Sequence, residues 1–221
     1  MMKKEEVMSM YSIRSYVVGL AQENCYFISN TKKETLIIDP GDQGMALVKE
    51  LRKNHLKPLA ILLTHTHFDH IGGIEDIRSQ FDIPVYVHEK EQHWLQKPTL
   101  NGSAKYQEIP NIIVEKADEI IQKEGSYSIG DFTFDVLHTP GHSPGSITFS
   151  FKDEGFAIVG DTLFEGSIGR TDLIEGSEKV LLQAIKQKIF SLDEQTIIYP
   201  GHGNSTTVEK ERAMNPFLRN V

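Results

Sequence analysis

The chain has 221 residues, of which 39% are hydrophobic and 24% charged, and its 31 acidic side chains outnumber 23 basic ones to give a formal net charge of -8. The hydrophobic share excludes a disordered chain, and the acidic balance, with no basic stripe, argues against a nucleic-acid partner. The single cysteine, Cys25, excludes an intramolecular disulfide framework and favours a reducing compartment.

The first half of the chain alternates predicted strands and helices. Residues 1–9, rich in Lys, Glu and Met, are predicted to form a flexible leader. Runs of β-branched and aromatic residues bounded by Asn, Gly and Pro predict strands over 11–19, 24–30, 34–41, 59–64 and 84–88. Apolar residues at helical spacing predict a helix near 46–56, a second from Asp69 to about Phe81, and a third ending at Trp94.

The second half is richer in strands. Residues 97–115 are predicted to be an irregular connector, and strands are predicted over 127–141, 146–151, 155–161 and 196–201, with helices near 177–190 and from about 206. Without a linker or a repeat, we expect one α/β domain over 10–221. No apolar run approaches the roughly 18 residues that cross a bilayer, so we expect a soluble, cytoplasmic protein with no membrane partner.

The most specific pattern is THTHFDH at 64–70. His65 and His67 point the same way from an extended backbone, and Asp69 and His70 follow where a helix should begin. Four potential metal ligands therefore converge directly after a buried strand. Two glycines, Gly72 and Gly73, follow at once, which indicates close packing of the backbone there.

Three later segments repeat this arrangement of a ligand type beside a glycine after an apolar strand. They contain His142, Asp161 and His202, in HTPGHSPG, IVGDTLF and YPGHG. Binding sites of α/β sheets gather outside the carboxyl ends of strands, so these loops are predicted to share one crevice.

These seven ligands exceed what one tetrahedral zinc ion needs, and two metal ions sharing one carboxylate are the economical interpretation. Imidazole and carboxylate without thiolate suit zinc, iron or manganese. Two such ions can hold a hydroxide and receive negative charge from a substrate oxygen, which predicts hydrolysis at a carbonyl carbon or at phosphorus.

The pattern HxHxDH, followed by an isolated His, an isolated Asp and a late GHG, resembles the metallo-β-lactamase fold superfamily from about residue 11 to 213. The resemblance implies a four-layer αβ/βα sandwich with a metal site at one edge of the two sheets. It also implies that His65, His67 and His142 hold one metal, that Asp69, His70 and His202 hold the second, and that Asp161 bridges them.

Within that superfamily, GDTLFEGSIGRTD at 160–172 is similar to the glyoxalase II branch, the hydroxyacylglutathione hydrolases, in a short form that lacks the carboxy-terminal helical region. The resemblance implies hydrolysis of a thioester such as S-lactoylglutathione by a metal-bridging hydroxide, most simply with zinc, and a small acyl-thiol as partner. Asp69 would ligate a metal and orient the nucleophile. Arg170 falls where the family has a basic residue near the thiol carboxylate, although it can equally pair with Asp172.

Other activities stay open at this stage. A mononuclear iron persulfide dioxygenase would reuse much of the histidine set, a lactone or ester presents nearly the same electrophile, and metals could serve the fold alone. A ribonuclease is disfavoured by the charge, and a secreted β-lactamase by the amino-terminal sequence. His55, His88, His93 and His138 are expected to be structural or surface residues, and Cys25 a small buried hydrophobe. The acyl group, the thiol and the oligomeric state are not predicted.

Overall fold

The computed structural model describes residues 10–219, so the predicted leader at 1–9 lies outside the described residues. The first half of the chain forms a six-stranded sheet in the order of the sequence. Its strands are β1 (Tyr11–Val18), β2 (Glu23–Asn30), β3 (Glu34–Ile38), β4 (Lys57–Leu62), β5 (Val85–His88) and β6 (Glu119–Ile121).

The second half supplies the remaining strands. They are β7 (Gly125–Ile129), β8 (Phe132–His138), β9 (Ile147–Phe151), β10 (Phe156–Gly160), β11 (Leu163–Phe164), β12 (Ser167–Ile168), β13 (Ile197–Pro200) and β14 (Thr206–Thr207). β11 and β12 form a small hairpin, and the others form a second six-stranded sheet in the order β14-β13-β10-β9-β8-β7.

Helices connect or flank these strands. The α-helices are α1 (Gly44–Lys53), α2 (Phe68–Ile71), α3 (Ile74–Arg78), α4 (Pro98–Asn101), α5 (Glu178–Gln187) and α6 (Val208–Met214). Short 3₁₀-helices cover Gln92–Trp94, Ser103–Lys105, Lys152–Glu154, Ile189–Ser191 and Pro216–Leu218. No helix within residues 10–219 is long and apolar enough to span a bilayer.

The two sheets pack face to face. Successive side chains of a strand point to opposite faces, so each strand contributes to the core between the sheets and to a core under the helices. Leu36 of β3 lies in the core between the sheets, whereas Ile37 packs in the core that contains α1 and α3. On the second sheet, Ile158 of β10 faces the inter-sheet core, and Val159 packs with α5. The order helix, sheet, sheet, helix confirms the predicted four-layer αβ/βα sandwich. The single domain over 10–221 stays a prediction.

The prediction of one helix from Asp69 to Phe81 was wrong, because the chain forms α2 and α3 with a break at Gly72–Gly73. The Gly73 N–H donates to the carbonyl of Pro40 (2.8 Å) instead of continuing the helix. A Cβ on Gly72 would lie 2.5 Å from the carbonyl oxygen of Gly41. The backbone of the Asp39-Pro40-Gly41 turn therefore presses against this point, which explains the paired glycines.

Smaller differences concern short elements. The helix expected to end at Trp94 is only the 3₁₀-helix Gln92–Trp94, and the connector at 97–115 contains α4 and a 3₁₀-helix. β6, β11, β12 and β14 were not predicted. Strands of two or three residues carry no measurable hydrophobic periodicity, so only their pairing partners define them.

Candidate metal centre

Strand ends bring the predicted site residues to one edge of the sandwich. β4 ends just before His65 and His67, β10 runs directly into Asp161, and β13 ends two residues before His202. His142 lies in the loop between β8 and β9, and Asp69 and His70 lie in α2. This edge is formed by carboxyl ends of strands, which is where α/β sheets place their binding sites.

A first group of three imidazoles is almost completely buried. His67 Nδ1 lies 2.8 Å from His142 Nε2, which in turn lies 3.2 Å from His65 Nε2. Two nitrogens bound to one zinc ion at about 2.0–2.1 Å each, at a tetrahedral angle, would be separated by roughly 3.3 Å. The two measured distances are close to this separation, and all three residues offer a ligand nitrogen within 4.8 Å of the others, so one ion can contact all three.

A second group of Asp69, His70 and His202 lies beside the first. Asp69 Oδ2 is 3.3 Å from His202 Nε2. Asp161 stands between the groups: its Oδ1 is 3.4 Å from His70 Nε2, and its Oδ2 is 3.6 Å from both His142 Nε2 and His202 Nε2. One carboxylate thus faces imidazoles of both groups.

Four imidazoles each form a hydrogen bond through the ring nitrogen that faces away from the centre of the site. His142 Nδ1 donates to the carbonyl oxygen of Arg170 (2.8 Å), and His202 Nδ1 donates to that of Ala21 (3.1 Å). His70 Nδ1 donates to Asp39 Oδ2 (3.0 Å).

The fourth of these imidazoles is His65, whose Nδ1 lies 3.1 Å from Thr64 Oγ1, and this hydroxyl itself donates to Asp39 Oδ2 (2.5 Å). Such outer hydrogen bonds fix the tautomer and leave Nε2 with its lone pair directed inward.

The protonation of the site follows from burial and from charge. Burial, and then the neighbouring imidazole of His142, lower the pKa of His67 to about 3, and burial also lowers the pKa of His65 well below its usual value. Although burial acts to raise the pKa of Asp161, the adjacent imidazole of His70 lowers it well below the usual range. Burial acts to lower the pKa of His70 and of His202, but the carboxylate of Asp161 raises the first well above its usual value, and the hydrogen bond with Asp69 raises the second. Without a metal, the site at neutral pH therefore presents neutral imidazoles at His65 and His67, an ionised Asp161 and a protonated His70.

Two buried polar atoms at the centre lack a hydrogen-bond partner among the described residues, namely His70 Nε2 and Asp161 Oδ1. A buried polar atom left unsatisfied costs about 1–3 kcal/mol, so native sites seldom leave two of them side by side. A cation between them would satisfy both. The donor set of imidazole nitrogens and carboxylate oxygens therefore fits a divalent metal.

A close approach of the backbone shapes the same spot. A Cβ on Gly201 would lie 2.3 Å from Asp161 Oδ1 and 2.7 Å from His70 Cε1. The loop after β13 is held there by β2, since the Asn24 N–H donates to the carbonyl of Gly201 (2.7 Å) and the Tyr26 hydroxyl to that of Pro200 (2.6 Å). Only a residue without a side chain leaves this space open.

Sequence reasoning missed Asp39 as a site residue. The sequence pattern places it only at the end of the strand predicted over 34–41, yet it accepts hydrogen bonds from the Thr64 N–H (2.7 Å), the Thr64 hydroxyl and His70. Asp39 directly follows β3, so the strand-end rule that selected the other ligands could have selected it.

Sequence reasoning also missed Glu91, which is fully buried. One of its oxygens accepts from the N–H (2.7 Å) and the hydroxyl (2.9 Å) of Thr66, between His65 and His67. The other accepts from the Gly145 N–H (2.7 Å) and the Ser143 hydroxyl, in the loop of His142. Glu91 thus ties together the two loops that carry the first imidazole group. No local pattern distinguishes it from exposed Glu89.

A cavity of about 420 Å³ opens over the site, with His67, Asp69, Asp161 and His202 in its wall. Arg170 also lines the cavity, but its guanidinium is exposed. It forms a bidentate ion pair with Asp172, in which Nε and Nη2 each lie 2.8 Å from a carboxylate oxygen. The pairing with Asp172 that the sequence left open is therefore present, together with a position at the cavity.

The histidines expected to be structural lie outside the groups of described residues that could hold a metal. His88 and His138 stack on each other with ring centroids 4.5 Å apart, and His138 Nε2 donates to the carbonyl of Pro144 (3.0 Å). Cys25 is buried as a free thiol, as expected.

The fold and the site together define a metallo-hydrolase. The chain belongs to the metallo-β-lactamase superfamily, whose family model matches residues 18–202.

Similar proteins agree with that class. A Bacillus subtilis protein named "Probable metallo-hydrolase YqgX" is 45% identical over 205 residues, covering 93% of this chain and 96% of its own. "Hydroxyacylglutathione hydrolase GloC" of Haemophilus influenzae is 35% identical over 198 residues, covering 89% and 93%.

Two solved structures are also similar over most of both chains. The B3 metallo-β-lactamase BLEG-1 is 47% identical with a TM-score of 0.92, covering 95% of this chain and all of its own. TTHA1623, solved in a di-iron-bound form, is 36% identical with a TM-score of 0.81, covering 93% and 100%.

Proposed function

We propose that this chain hydrolyses a thioester, S-lactoylglutathione or a related acyl-thiol, at a centre of two divalent metal ions. The strongest support is that four imidazoles each hold one ring nitrogen in an outer hydrogen bond and turn the other toward a common centre. Histidines that merely fill a core have no need for such convergence, because each would satisfy both nitrogens locally. The similarity to a hydroxyacylglutathione hydrolase supports the thioester as substrate.

In this proposal His65, His67 and His142 hold one ion, Asp69, His70 and His202 hold the other, and Asp161 contacts both. The donor set suits zinc, which we propose as the metal, as well as iron or manganese. The di-iron form of the similar TTHA1623 makes iron the main competitor.

When bound, such ions lower the pKa of a water molecule and stabilise negative charge on a carbonyl oxygen. Asp69 is the residue that we propose to orient the attacking water. Burial acts to raise its pKa, but the hydrogen bond with His202 prevails and lowers it, so the carboxylate is ionised at neutral pH and accepts hydrogen bonds.

The overall reaction joins the water oxygen to the acyl carbon and breaks the carbon–sulfur bond, releasing a carboxylic acid and a thiol. A thiol with a pKa of about 8.5 leaves as the thiolate without protonation by a strong acid. No separate side-chain base is assigned.

We assign Arg170 to the carboxylate of the thiol. Its pair with Asp172 is exposed, and such surface pairs contribute only about 0–1 kcal/mol, so a substrate carboxylate can compete for the guanidinium. A cytoplasmic location stays a prediction from the single cysteine.

A β-lactam is the second candidate substrate, because the similar BLEG-1 is described as a B3 metallo-β-lactamase. The carbonyl group of its amide bond would lie at the same proposed metal ligands as the thioester carbonyl. An iron persulfide dioxygenase would consume oxygen, and a lactonase would open a lactone, so both activities are outcomes of the test.

The test combines metal analysis with a substrate panel. Purified protein should contain close to two metal equivalents and should cleave S-lactoyl thioesters faster than a cephalosporin or a lactone, without consuming oxygen. Asp161→Asn and His67→Ala should each lower kcat/KM at least about 100-fold, since they remove proposed ligands. Exposed His93 provides the matched control, and His93→Ala should retain full activity. Full activity of His67→Ala or Asp161→Asn would refute the proposal.

A further inference from the structure

The cavity over the site adjoins a second cavity. We call the first, of about 420 Å³, the metal-side lobe, and the second, of about 470 Å³, the apolar lobe. Four residues line both lobes: Ala21, Phe68, Asp69 and Tyr106. A ligand whose reacting group lies at Asp69 can therefore extend in two directions.

The apolar lobe has apolar walls in contact with solvent. Leu20, in the turn between β1 and β2, is 86% exposed, and Ile109, Pro110 and Ile112 also line the lobe. Phe68 and Tyr106, with ring centroids 5.2 Å apart, separate the two lobes. A lobe of this size lies in the range of small-molecule sites, about 300–1,000 Å³, and an apolar occupant would remove these side chains from water.

The two lobes differ in charge. Lys105 and Arg170 line the metal-side lobe, together with the carboxylates of Asp69 and Asp161, whose charge the proposed metal ions would offset. The carboxylates of Asp42 and Glu108 lie at the apolar lobe, and none of the described residues that line it is basic. An anionic group is therefore attracted to the metal-side lobe and repelled from the apolar lobe.

From this asymmetry we propose that the apolar lobe binds the acyl chain of the substrate and selects uncharged, apolar acyl groups. The carboxylate-bearing thiol then occupies the metal-side lobe beside Lys105 and Arg170, and the thioester carbonyl lies at the junction near Asp69. The proposal rests on thioester hydrolysis as the proposed function and adds the substrate class. It makes lactoyl, which is short and hydroxylated, a poorer acyl group than octanoyl.

The experiment uses two matched series of glutathione derivatives. Acyl thioesters from acetyl to octanoyl report hydrolysis, and S-alkyl thioethers from methyl to octyl, which carry no scissile carbonyl, report binding by calorimetry. Each methylene transferred from water into an apolar site should raise kcat/KM and affinity about fourfold along each series. Ile109→Ser should flatten both trends to less than about twofold per methylene, because it replaces an apolar wall by a hydroxyl.

Ile113→Ser is the matched control, since Ile113 is 61% exposed and lines neither lobe. It should retain both trends. Leu20→Ser, in an exposed turn, should repeat the effect of Ile109→Ser and keeps the test valid if Ile109→Ser does not fold.

The outcomes separate the two proposals. Thioester cleavage with no dependence on chain length, or equal trends in Ile109→Ser, Leu20→Ser and Ile113→Ser, overturns the apolar lobe as the acyl site while thioester hydrolysis stands. Thioethers that bind more tightly with chain length, in a protein that cleaves no thioester, support the lobe as an alkyl-chain site and overturn the proposed reaction.

Discussion

Replacing Glu91 by alanine should destabilise the protein strongly, although Glu91 lies outside the proposed ligand set. Its carboxylate is fully buried and accepts hydrogen bonds from the loops of His67 and His142. The substitution leaves the N–H groups of Thr66 and Gly145 without an acceptor. Each buried orphan costs about 1–3 kcal/mol, and the cavity adds to this, so we expect a loss of about 3–5 kcal/mol.

Glu91→Gln should cost less. The amide oxygen still accepts from one loop, and the hydroxyl on the other side can rotate to accept from the new NH₂ group. One backbone N–H loses its partner, which predicts a loss of about 1–3 kcal/mol. Metal affinity should fall about 10- to 100-fold in both variants, because the first group of imidazoles loses its outer support.

Urea unfolding in the presence of a chelator measures the loss of stability, with Trp94, the only tryptophan, as a buried fluorescent reporter. Glu89 is the matched control because it is exposed two residues away. Glu89→Ala should change the free energy of unfolding by less than about 0.5 kcal/mol. The expected loss of unfolding free energy for Glu91→Ala is about 3–5 kcal/mol. A measured loss of less than about 1 kcal/mol would show that Glu91 does not connect the two loops.

Three further predictions concern the glycine at the site, a distant histidine and the metal. Gly201→Ala should lower the bound metal from about two equivalents to about one, since its Cβ would lie 2.3 Å from Asp161 Oδ1. In the control Gly203→Ala the Cβ meets no atom within 4 Å, so this variant should retain both equivalents, although the left-handed backbone there (φ 76°) costs an alanine about 1–2 kcal/mol of stability. Equal metal content in the two variants would contradict the geometry. Burial lowers the pKa of His88 to about 4, and the unfolded chain takes up this proton at about 6.5, so stability falls as the pH drops from 6.5 toward 4. Over that range wild type should lose about 1–2 kcal/mol more than His88→Asn in urea titrations, and parallel curves would disprove the assignment. Chelation followed by zinc should raise the free energy of unfolding by about 2.7 kcal/mol at a free zinc concentration 100 times the dissociation constant, whereas a thermal midpoint indifferent to zinc would argue against a bound ion.

The fold class was predictable because it depends on local patterns. Alternating and continuous apolar runs mark strands, and strand-helix-strand order limits the architecture to α/β types. The break between α2 and α3 was not predictable, since it arises from contact with the Asp39-Pro40-Gly41 turn about thirty residues earlier in the chain.

In the candidate site, too, some features follow from local sequence patterns and others only from tertiary contacts. The sequence by itself determined the types of ligand and their position after strands, because the backbone direction at a strand end fixes where His65 and His67 point. It did not determine which carboxylates support them. Glu89 and Glu91 have similar neighbours in the sequence, and only the fold places Glu91 against the loops of His67 and His142. The tertiary structure alone decided that Asp39, Glu91 and Gly201 belong to the centre. Hydrogen bonds and close contacts between segments far apart in the chain depend on distances of a few tenths of an ångström, and these exist only after both sheets have packed.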